Sequence, residues 1–151
     1  MSPDVSLTNE WREMREFLAI AQGLLDSSND DSSFKQSIGY CCGALCSLAH
    51  AISISDPAMR KRAGDVGPSE AVDVLDVFLV TKLAGSGTMH SLPIARKLLD
   101  AALGYWKPER LICQQSFSRG DAAVCFATTT SIVNIVAQLL GVKRDEMPSA
   151  S

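Results

Sequence analysis

Residues 66–108 read VGPSEAVDVLDVFLVTKLAGSGTMHSLPIARKLLDAALGYWKP. The stretch predicts two amphipathic helices joined by a Gly-Ser-Gly turn, and its reading decides the fold class. Pro68 or Ser69 opens the first helix, which runs to about Ala84 with Val72, Leu75, Phe78, Leu79 and Leu83 on one apolar face. Gly85 fits the position just past its end, because glycine adopts left-handed backbone without a steric penalty. Ser91 caps the second helix, about Leu92 to Trp106, with Pro93 in its first turn. Leu92, Ala95, Leu98, Leu99, Ala102 and Leu103 face inward, Arg96, Lys97 and Asp100 face water, and Lys107-Pro108 stops the helix. No set of side chains here can make or break bonds. The stretch points to a protein that works by presenting a surface.

Helical signals continue on both sides. Leu7, Trp11, Met14, Leu18, Ala21 and Leu25 recur in steps of four and three, predicting a helix over Asn9 to Leu25 with Thr8 as its cap. A polar loop from Asp26 to Ser33 carries caps for the next helix, about Ser33 to Ser53. That helix is built of small residues, and its interior glycines, Gly39 and Gly43, each cost about 1 kcal/mol against alanine. Close approach of a neighbour over the Gly39, Gly43, Ala44, Ser47 and Ala51 side would offset the loss. This helix is therefore expected at the centre. Asp56-Pro57 starts a short connecting helix that Gly64 ends, and Glu109 to Phe117 reads as another. After a turn at Ser118-Arg119-Gly120, Asp121 caps a last helix over Ala122 to Leu140, which Gly141 terminates. Its apolar residues are Val124, Phe126, Ile132, Val133, Ile135, Val136, Leu139 and Leu140, more than half its circumference. The expected fold is all-α, a single-domain bundle of five main helices plus short connecting helices. Residues 1–7 are expected to fray, 8–141 to form the domain, and 142–151 to be a disordered tail.

Composition narrows the function. The chain has 151 residues, a net charge of −3 and a 46% apolar content, ordinary for one globular domain. A nucleic-acid binder needs a basic face, and Arg60-Lys61-Arg62 is too short to supply one. The longest apolar runs are broken by Asp, Lys, Thr, Asn or Gln short of the ~20 residues of a membrane span, so the expected chain is soluble, with no membrane partner. If Met1 is the native start, the lack of a basic stretch followed by an apolar core predicts a cytoplasmic protein. If the chain is a processed fragment, the periplasm is the alternative.

Five cysteines leave an odd thiol. Cys41 and Cys42 are adjacent on a helix and point about 100° apart, so they cannot bridge each other without strain. The thiols read as buried small hydrophobes. A disulfide from the Cys41–Cys46 region to Cys113 or Cys125 is the alternative, and it needs an oxidising compartment. Cys42, Cys46 and His50 recur every four residues, so two of them could share a metal with a ligand from elsewhere. No cofactor or metal is expected, the alternative being a Cys/His metal-binding bundle. His90 has no nucleophile in a catalytic setting, and apolar surroundings should raise every thiol pKa. Asp30-Asp31 reads as helix capping and Asp73/Asp76 as solvation. The expected protein is not an enzyme.

From Ser37 to Pro108 the chain resembles the Tai-type immunity proteins, helical inhibitors of peptidoglycan amidases delivered by bacterial type VI secretion. The resemblance rests on Gly39-Tyr40-Cys41-Cys42-Gly43-Ala44, on the Val66–Val80 helix, on His90-Ser-Leu-Pro-Ile-Ala95 and on Ala101-Ala-Leu-Gly-Tyr-Trp-Lys-Pro108. The helix from Asp121 to Leu140 lies outside it, and the family's first paired cysteine has no counterpart between Gly64 and Pro68. It implies a homodimer or monomer that occludes a cognate amidase, with a dimer favoured. Arg60, Lys61, Arg62, Asp65, Ser86, Thr88, Met89 and His90 would then be contact residues, and Met89 and Tyr105 the anchors. A helical adaptor that self-associates through its last helix is the other binding reading.

Overall fold

A computed structural model describes residues 8–27, 29–55, 68–86, 92–106 and 117–142. They form five helices: α1 (Asn9–Ser27), α2 (Asp31–Ser55), α3 (Pro68–Ser86), α4 (Leu92–Trp106) and α5 (Arg119–Leu139). The all-α bundle expected from periodicity is what the chain adopts, with no strand among the described residues. Residues 1–7, the connecting helices expected after Asp56 and Glu109, and the tail beyond Val142 lie outside the described residues.

The starts of α1, α2 and α5 are each set by a local polar bond. Trp11 N–H donates to Thr8 Oγ1 at 3.2 Å, so Thr8 caps α1. Asp30 caps α2, its Oδ1 accepting from Ser33 N–H at 2.8 Å. At α5 the cap is Ser118, not Asp121 as the sequence suggested. Ser118 Oγ accepts from Asp121 N–H at 3.1 Å, and Asp121 Oδ2 accepts from Ser118 N–H at 3.0 Å. Asp121 is thus the third helical residue of a reciprocal capping box. Gly141, at φ +73°, ends α5. Gly141 N–H donates to Gln138 O and Val142 N–H to Ala137 O, and Val142 is buried, so the folded unit reaches that residue. Helix α3 runs two residues past the expected end, which puts Gly85 inside it.

Helix α2 packs against all four others and is the centre of the bundle, as its small residues implied. Trp11, Met14, Leu18 and Ala21 of α1 are buried, matching the four-three stripe. Ser37 Oγ donates to Ala21 O at 2.8 Å and Ser47 Oγ to Glu13 Oε1 at 2.8 Å, tying α2 to α1 at two levels. Arg119 joins the far ends: its guanidinium donates to Leu25 O and Asn29 Oδ1 and sits 5.4 Å from the Phe34 ring centroid. Arg96 donates to both oxygens of Asp76, at 2.8 and 3.1 Å, linking α4 to α3. Asp76 therefore does more than solvate its helix face.

Two inward faces differ from expectation. In α3, Ala71 and Val74 are buried while Val72 is half-buried. In α5, Val124 is 54% exposed, and Ala122, Cys125 and Thr128–Thr130 are buried instead. Thr129 and Thr130 tolerate burial because their own helix satisfies their hydroxyls. Thr129 Oγ1 donates to Cys125 O at 2.8 Å and Thr130 Oγ1 to Phe126 O at 3.0 Å. The expectation that apolar runs break short of a membrane span is also corrected. Asp31–Ile54 and Arg119–Leu139 are long and apolar enough to cross one, although half or more of the most apolar 18-residue window in each is buried inside the bundle. Core helices of a bundle meet the same length and composition criterion.

Candidate functional site

The small-residue side of α2 divides into two parts. Ala44, Ser47 and Ala51 are buried, as a closely packed side requires. Gly43 is half-buried, and a methyl group there would stand 3.3 Å from Cδ2 and Cε2 of Phe17. The neighbour that needs Gly43 is therefore one aromatic ring of α1. Gly39 departs from the expectation of close approach: it is exposed, and a methyl group there would meet nothing within 4 Å.

Around these glycines lies a surface notch lined by Phe17, Gln36, Gly39, Tyr40 and Gly43. Phe17 and Tyr40 form its aromatic walls, their ring centroids 5.8 Å apart and tilted by 47°. Both are half-buried, each with one side on the core and the other toward solvent. Two other depressions differ in character. The one between α1 and α5 mixes Arg12, Arg15 and Glu16 with Leu18 and Phe126. The one between α3 and α4 is spanned by the Arg96–Asp76 pair. The α1–α2 notch has no charged lining residue, and glycine in its lining lets another chain approach the α2 backbone.

The four described cysteines, none in a disulfide, sort into two pairs. Cys42 and Cys46, one turn apart on α2, are half-buried, and the Cys46 thiol is the group that acts on Cys42 most strongly. Cys41, one residue away, turns inward and is fully buried, and Cys125 of α5 is the group that acts on it most strongly. The Cys125 thiol, and then burial, push the Cys41 thiol far above its ordinary range, while the Thr129 hydroxyl pulls the other way. The Cys46 thiol, and then burial, raise Cys42 likewise. Thiolate is scarce at both positions at neutral pH, as the apolar surroundings implied. His50 is half-buried on the same helix, and among the described residues no three His, Cys, Asp or Glu side chains converge to hold a metal ion. The structure thus brings Cys42 to Cys46 and does not complete a ligand set with His50.

Of the expected partner-binding residues, Tyr105 lies in the last turn of α4, half-buried and packed against the core. Ser86 is the last residue of α3. Arg60, Lys61, Arg62, Asp65, Thr88, Met89 and His90, like Cys113, lie outside the described residues. The notch was missed as a site, although its signal was present. Gly39-Tyr40 and Gly43 in one helix, with no charge among them, mark a face where backbone and an aromatic ring are both accessible. Compared with known proteins, the chain matches no family model, no curated protein and no solved structure.

Proposed function

We propose that this chain is a protein-binding inhibitor of the immunity type, which silences a peptidoglycan amidase by covering its substrate groove and catalyses no reaction itself. The observation that carries the binding half is the notch of Phe17, Gly39, Tyr40 and Gly43, an uncharged aromatic and glycine surface. Interface cores are depleted in charge and enriched in aromatic rings, and a few such anchors carry most of the affinity. The amidase half rests on the resemblance of residues 37–108 to the Tai-type immunity proteins.

The test mixes the purified chain with the hydrolase encoded beside it and follows peptidoglycan cleavage. Hydrolysis should fall to background near equimolar chain. Gly39→Arg should weaken inhibition by about tenfold or more, because it fills the notch with a charged side chain. That variant keeps its fold: position 39 is open, and arginine is a better helix former than glycine. An active hydrolase untouched by an excess of the chain ends the amidase reading. Full inhibition by Gly39→Arg places the contact surface elsewhere.

A further inference from the structure

A carboxylate stands at one end of the α1–α2 notch. Glu13, one turn before Phe17 on α1, meets Ser47, one turn after Gly43 on α2: the Ser47 hydroxyl donates to Glu13 Oε1 at 2.8 Å. That bond holds the carboxylate beside the notch and leaves it further acceptor sites. At the other end Ile20, one turn after Phe17, is 43% exposed. The arginines of α1 stand on the opposite flank, Arg12 and Arg15 lining the depression against α5. Lys35 precedes the lining residue Gln36 and so points about 100° round α2 from it. Resting on the reading of the notch as the partner surface, we propose that it receives an arginine side chain of the partner, with the guanidinium laid on the rings of Phe17 and Tyr40 and paired with Glu13.

Ring faces are electron-rich and attract a cation, and a guanidinium is flat, weakly hydrated and able to stack on them. The rings of Phe17 and Tyr40, 5.8 Å apart and tilted by 47°, are not stacked face to face on each other. Gly39 puts no side chain in the way, so an arginine can lay its methylene stem close to the α2 backbone, with Ile20 flanking it. Other anchors fit less well. An aliphatic side chain would cover Glu13 without a donor for its remaining acceptor sites, and a carboxylate would be repelled. Lysine brings the charge but not the plane. The bundle already uses this combination internally: the guanidinium of Arg119 sits 5.4 Å from the Phe34 ring centroid while donating to Leu25 O and Asn29 Oδ1.

The experiment titrates the full isotope-labelled chain with a capped Gly-Arg-Gly peptide and follows the amide resonances of Gly39 and Gly43. The comparison probes are the citrulline peptide, which keeps the shape and loses the charge, and the lysine peptide. Both glycine resonances should move saturably with the arginine peptide. Its affinity should exceed that of the citrulline peptide by about fivefold and that of the lysine peptide as well, and Glu13→Gln should lower it by about fivefold. Glutamine can still accept from Ser47 and position 13 is exposed, so that variant keeps its fold. The inference is overturned if neither glycine resonance shifts saturably, if either comparison peptide binds as tightly, or if Glu13→Gln binds arginine unchanged. A silent arginine probe beside intact inhibition of the hydrolase overturns the arginine anchor alone. Arginine binding beside an uninhibited hydrolase overturns the amidase reading and supports the anchor.

Discussion

The two sides of α2 carry small residues for opposite reasons. On the inner side Ile38, Cys41, Leu45, Leu48 and Ile52 are completely sealed, with Ala44 and Ala51 buried beside them. There a small side chain lets another helix come close. On the outer side Gly39 is exposed and meets nothing, and Gly43 is covered only by the ring of Phe17. A helical glycine with no neighbour lowers stability and gives no packing in return. The inner side holds the fold, and the outer side is left for something else to cover. Small residues on a helix therefore report packing only when their neighbours are known.

The strongest challenge to this division is a cavity in the sealed side. Leu48→Ala should lower stability by about 2–5 kcal/mol, because a fully buried leucine leaves a void that the surrounding helices only partly fill. Urea unfolding checks it, with a lowered midpoint and an unchanged slope as the expected result. A loss smaller than about 1 kcal/mol would mean that the inner side is loosely packed and the contrast between the sides is false.

Much of the inner side could be read from sequence, because burial there follows helical spacing. Trp11, Met14, Leu18 and Ala21 are one face of α1, and spacing alone picks them out. Spacing fails where chemistry substitutes for hydrophobicity. Thr129 and Thr130 can be buried because they return their hydroxyls to their own helix, while the apolar Val124 faces water. Ser118 and Asp121 both look like caps, and only the bonds between them assign the roles. The site was less legible. Gly39 and Gly43 look alike in the sequence, and what separates them is the side chain of Phe17, 22 and 26 positions earlier in the chain. The influence of Cys125 on Cys41 likewise depends on the packing of α2 against α5, which local spacing does not reveal.

A smaller effect tests how the sealed side is anchored to α1. Ser37 is fully buried and donates to Ala21 O at 2.8 Å. Ser37→Ala removes that bond while leaving the volume nearly unchanged, so about 1 kcal/mol of stability should be lost. Alanine's better helix propensity recovers part of it. Thermal melting at matched concentration is sufficient to read the change. A variant as stable as the parent would show that the Ser37 bond adds nothing to the packing between α1 and α2.

The finest test compares the two glycines directly. Gly39→Ala should raise stability by about 1 kcal/mol, because the helix gains an alanine and the new methyl group meets nothing within 4 Å. Gly43→Ala receives the same propensity gain, but its methyl group would press on Phe17 at 3.3 Å. Phe17 is half-buried beside Tyr40, so its ring has room on the solvent side to move by the few tenths of an ångström required. The net change at Gly43 should therefore be smaller than at Gly39, and close to zero. Urea midpoints measured side by side would settle the order. Equal gains at both positions would mean that Phe17 does not hold Gly43 closed, and the α1–α2 notch would lose the wall that defines it.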